Sequence, residues 1–190
     1  MRTNVFIRYV VPFAGMFFAM VAVTIVIDYV LHSMGLVSIG RYLGPIGTVM
    51  IIASFVYSAR KRGIIREGSP KKLLMLHEYM AWAGSVMILV HAGIHFNAKL
   101  PWIATVLLLI TVASGLVGKF LLKKASLTVS EHRRDLLATG VPPEEAEKQL
   151  FLDLVAVDAM KRWRVVHMPI AMLLAVFSLM HIVSIWMFTK

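Results

Sequence analysis

Runs of about twenty apolar residues alternate with short basic stretches along most of this chain. Five runs are long enough to cross a bilayer as helices: Tyr9 to Leu31, Tyr42 to Ala59, Leu73 to Phe96, Pro101 to Leu122 and Val165 to Thr189. The second is the shortest and carries Pro45 and Gly47 near its start. The pattern predicts an all-α integral membrane bundle of five transmembrane helices in a single membrane domain covering residues 1–190. Only the stretch from Lys123 to Arg164 offers a sizeable region outside the membrane, and it reads as helical. Thr128 and Glu131 have capping-box spacing, Gly140 sits where a helix would stop, and Pro142-Pro143 followed by EEAEKQLFLDLVAVDAM starts a second helix with acids at its positive end. Leu150, Phe151, Leu154, Val155 and Val157 give that helix an apolar side. Such a side either rests on the membrane interface or on its own bundle, or it docks a cytoplasmic partner.

Composition agrees with the pattern. Of 190 residues 59% are hydrophobic and 16% charged, well below the roughly 25% charged residues of a soluble domain. The net charge of +10 reflects topology rather than nucleic-acid binding, because basic residues cluster between the spans. Arg2 and Arg8 precede span 1, SARKRGIIREGSPKK joins spans 2 and 3, and Lys119 to Arg164 brackets the long loop, whereas only Arg41, Lys99 and Lys190 fall on the opposite side. The N-terminus is therefore expected in the cytoplasm, the C-terminus outside, and the location a bacterial cytoplasmic membrane. The first run is longer than a signal-peptide core and lacks a small-residue cleavage site, so it reads as a span. The chain contains no cysteine, which excludes disulfides, thiolate metal sites, iron–sulfur clusters and CxxCH haem attachment.

Histidines inside the spans carry the chemistry. Span 3 holds His77, His91 and His95, and span 5 holds His167 and His181. An ionisable residue in a span is costly and points to function. His77 and His91 are separated by fourteen residues, as are His167 and His181. On a helix that step returns to within about 40° of the same face and advances about 21 Å. Spans 3 and 5 run parallel, so His77 falls level with His167 and His91 with His181. Two imidazoles at each level are the axial set of a six-coordinate b-type haem, so the four histidines are expected to ligate two haem irons. Gly84 lies seven residues from both His77 and His91 and would lighten the wall of such a slot, while Gly115 and Gly118 would let span 4 approach the inner pair. Lys72, Lys119, Lys123 and Arg164 on one side, and Arg41 and Lys99 on the other, suit haem propionates, or else simply mark topology.

These pairs resemble the bis-histidine pairs of dihaem membrane cytochromes b, both the cytochrome b of quinol-oxidising bc complexes and the transmembrane domain of the ferric reductase/NADPH oxidase family. In the latter the ligands also lie on the third and fifth spans. The resemblance implies electron transfer across the membrane through two haems. The chain departs from both families: a bc-type cytochrome b has more spans, and a ferric reductase has a sixth span and a flavin and nicotinamide domain. Here the sequence stops after span 5 with no GxGxxG fingerprint. Electrons are thus expected to enter and leave through separate partners, with the chain as the electron-transferring membrane subunit of an oxidoreductase complex linked to the quinone pool.

His95 lies one turn beyond His91 and, eighteen residues from His77, could replace it as ligand, although only His91 matches the step in span 5. A second use for His95 is proton exchange at a quinone site with Asp28 and His32, which are i and i+4 near the outer end of span 1. The rival reading is a metal-ion transport or binding protein using His91, His95 and His181. It leaves His77 and His167 unexplained.

Overall fold

The computed structural model describes residues 11–94, 99–117 and 123–188. Those residues form helices and no strand: α1 (Val11–Ser33), α2 (Val37–Ser54), α3 (Val56–Lys61), α4 (Pro70–Ile94), α5 (Lys99–Leu116), α6 (Lys123–Ala138), α7 (Pro143–Gln149) and α8 (Phe151–Phe188). Among the described residues five helical stretches are long and apolar enough to cross a membrane, with α2 and α3 together making one of them, Val37–Lys61. The chain has the character of an integral membrane protein.

The second span begins five residues before the expected Tyr42, because the turn after α1 is very short. Gly35 adopts φ +69°, the Leu36 amide donates to the Leu31 carbonyl at 2.8 Å, and the Gly35 amide donates to the His32 carbonyl at 3.1 Å. This glycine-terminated helix end turns the chain back at once, so α2 starts at Val37. Pro45 is carried inside α2.

The chain divides into two compact units. One comprises residues 19–112 and 174–190. Its best-packed part is the antiparallel pair α2 and α4, in which Val86, Leu89 and Val90 are buried. Backbone-to-backbone approach makes this possible. A β-carbon on Gly47 would come within 2.7 Å of the Gly84 carbonyl oxygen, and one on Gly84 within 2.8 Å of the Gly47 carbonyl oxygen. Small residues at a crossing let dispersion and polar contacts substitute for the hydrophobic drive that lipid removes. Four hydroxyls within the spans return to their own helix: Thr24 donates to the Met20 carbonyl, Thr48 to Gly44, Ser85 to Ala81 and Thr105 to Pro101. In a medium without water each polar group needs such a partner.

The other unit comprises residues 1–18 and 113–173. Here α6 and the first part of α8 meet through Ala125, Val129 and Val157, with Met160 against them, and Arg133 pairs with Glu147 at 2.9 Å to tie α6 to α7. Gly140, at φ +83°, ends α6 as its position predicts. Thr128 does not cap a helix: it lies inside α6, already running at Lys123, because Ala125 and Val129 are held by packing. Nor do the loop helix and span 5 separate. From Phe151 onward no glycine or proline interrupts the chain before Pro169, and α8 continues for 38 residues through the basic cluster at Lys161 and Arg162. The anticipated apolar side is split. Leu150 and Val157 are buried, whereas Phe151, Leu154 and Val155 are exposed.

Candidate functional site

Both α4 histidines are anchored on α2. His77 Nδ1 lies 3.0 Å from the Ser54 carbonyl oxygen, and His91 Nδ1 lies 3.1 Å from the Gly40 carbonyl oxygen. The two acceptors are themselves fourteen residues apart, so the step that places the histidines on one face of α4 is matched by the facing, antiparallel helix. Ser54 is the last residue of α2, at the break before α3, where carbonyls lose their helical donors and look for others. A carbonyl oxygen has a second lone pair, which lets Gly40 accept a side chain as well. The ring of Tyr57 lies 5.8 Å from that of His77, tilted by 34°.

Gly44 fits His91 by having no side chain. A β-carbon there would sit 2.7 Å from the imidazole Cγ and Cδ2. Gly84, expected beside a cofactor slot, brings the α4 backbone against Gly47 of α2.

His167 is held in the other unit, by α5. Ser114, buried to 1% exposure, places Oγ 2.6 Å from His167 Nδ1. A β-carbon at Gly115 would come 3.6 Å from His167 Cε1, so the ring rests on the Ser114–Gly115 step. His181 lies on the C-terminal part of α8 and is half-buried, in the same unit as α4. His77 and His167 belong to different units.

Three of the four expected ligands thus have Nδ1 within hydrogen-bond reach of a backbone carbonyl or a buried hydroxyl. A neutral imidazole that donates from Nδ1 carries its lone pair on Nε2. This is the arrangement by which proteins orient metal-binding histidines. The donor set fits an axial haem ligand.

Asp28 and His32 come together at the end of α1. Nδ1 of His32 donates to the Asp28 backbone carbonyl at 2.9 Å and lies 3.5 Å from Asp28 Oδ1. Oδ1 is buried and makes no hydrogen bond among the described residues. The carboxylate packs against Gly93 of α4, where a β-carbon would meet its atoms at 3.4 to 3.5 Å. Gly93 is two residues past His91, so Asp28 sits on the far side of α4 from that ring, about one helix thickness away. His95, Gly118 and Lys119 lie outside the described residues. Among the described residues no three His, Cys, Asp or Glu side chains are grouped so as to hold a metal ion.

The roles of α2 and of Ser114 were not anticipated. A signal existed in Gly40-Arg-Tyr-Leu-Gly44, a GxxxG spacing that marks a close helix contact in membranes. Nothing local marks Ser54 or Ser114 as partners of histidines. Compared with family models, curated proteins and solved structures, the chain matches none.

Proposed function

We propose that this chain is a dihaem b-type cytochrome that carries electrons across a bilayer as the membrane subunit of an oxidoreductase complex. His77 and His167 would hold one haem toward the cytoplasmic face, and His91 and His181 the other toward the outer face. The observation that carries this reading is the anchoring of Nδ1 in three of these histidines, on Ser54, Gly40 and Ser114. Backbone carbonyls fourteen residues apart on α2 anchor His77 and His91, themselves fourteen apart on α4, and a buried hydroxyl anchors His167; this supports a common task for Nε2. Haem, when bound, supplies one-electron iron chemistry, and the protein tunes it by axial ligand, burial and nearby hydrogen bonds.

The chain's own residues also suit exchange with a quinone. Asp28 offers a buried carboxylate oxygen without a hydrogen bond in the described fold, beside a half-exposed His32. Buried polar atoms left without partners are rare, and a quinol hydroxyl would satisfy this one while His32 passes a proton to water. His95 is included in the proposal on its sequence position alone.

A pyridine haemochrome assay on the purified full chain, with His77→Ala and His181→Ala, tests the reading. Two b-type haems per chain, with about one lost in each variant, is the expected result. Protein made with ample haem supply and containing none overturns it.

A further inference from the structure

Independently of any haem, α8 carries a face that its own unit does not use. Within residues 113–173, Val157 and Met160 turn one side of α8 toward α6. On the opposite side, Phe151, Val155, Asp158, Arg162 and Val165 follow one another in alternating steps of four and three, with Met172 one heptad beyond Val165. Phe151 is 61% exposed, Val155 50%, Val165 72% and Met172 66%. The 4–3 alternation is the period of a helix that supercoils with a neighbouring helix, which keeps a seam in register over several heptads.

Lipid cannot cover the whole of this stripe. A helix of 38 residues is about 57 Å long, against a hydrocarbon core of about 30 Å. Phe151 and Val155 precede the cluster Asp158, Lys161 and Arg162 and lie about 21 and 15 Å from the start of the apolar span at Val165. The partner must therefore present apolar surface both within the bilayer and beyond it, at the same phase. A second α8 does so.

Charge supports self-pairing. Asp158 and Arg162 stand on the stripe and bond to each other at 2.9 Å, both largely exposed. In a parallel two-fold pair each acid can reach the other copy's arginine one layer on, so the two intrahelical bonds exchange for two interchain ones, which fix the register.

We infer that the stripe from Phe151 to Met172 is a homodimer seam, occupied by the same stripe of a second copy of this chain. Because the chain has no cysteine, single cysteines report on it cleanly. Phe151→Cys, Val155→Cys and Val165→Cys would be oxidised in native membranes beside the inward-facing controls Ala156→Cys and Met160→Cys. The seam predicts disulfide dimers at the first three positions at least fivefold above the controls. In the Val155→Cys background, Asp158→Arg should reduce that yield severalfold, and adding Arg162→Asp should restore it. Cross-linking that is absent, equal at all positions, directed to a different protein, or indifferent to the charge reversal overturns the proposal.

Discussion

The imidazole of His91 lies against Gly44 so closely that a β-carbon at residue 44 would come 2.7 Å from two of its ring carbons. Real β-carbons do not approach this near, so α2 can hold His91 on the Gly40 carbonyl only with glycine one turn further on. The histidine that sequence spacing marks as a ligand depends on a helix that carries no ligand.

Gly44→Ala should therefore displace His91 while sparing His77, which is anchored at the other end of α2. Overpacking of this kind costs about 1–3 kcal/mol. The expected outcome is a fall from two haems to about one per chain, read by haemochrome, with the remaining haem lost only when His77→Ala is added.

Ser114→Ala removes the hydroxyl 2.6 Å from His167 Nδ1. Loss of such an outer partner typically weakens metal affinity 10–100-fold. Haem titration of apoprotein should show that drop in one of two binding phases, and Ser114→Thr, which keeps a hydroxyl, should recover most of it. Unchanged affinity in the alanine variant would remove Ser114 from the site.

At Gly84 the prediction is structural. Gly84→Leu drives a side chain into the Gly47 carbonyl and forces α2 from α4, so both anchors should suffer together. A lower Tm of the protein without haem, and reduced occupancy at both haems in its presence, are expected. Loss of one haem alone would argue that Gly84 acts locally on a cofactor.

Asp28→Asn separates stability from function. A neutral amide of the same shape removes the charge from a side chain whose Oδ1 is buried without a hydrogen bond among the described residues. Thermal stability should rise or hold, haem content should stay at two, and reduction by quinol should slow at least tenfold. Quinol-dependent reduction at the unaltered rate would sink the proposed proton role of Asp28 and His32.

Periodicity and length alone determined the helical class and the five spans, since a backbone with no water to bond must close its hydrogen bonds within each helix. The same logic made the histidines conspicuous: fourteen residues is a statement about one helix, and one helix is legible from its own sequence. The end of α6 at Gly140 was legible for a similar reason, because a left-handed residue is a local requirement. Where tertiary contacts compete, local signals failed. Thr128 has capping spacing yet is carried inside α6 by the packing of Ala125 and Val129, and α8 runs through a basic cluster that reads as a boundary. Only the tertiary structure decided which groups orient the histidines. Ser54, Gly40 and Ser114 lie 23, 51 and 53 residues from their partners. Two of the acceptors are backbone carbonyls, which every residue owns and no sequence pattern can single out. Their selection rests on how closely two helices approach, and at Gly44, Gly47 and Gly84 that approach is set by the absence of side chains.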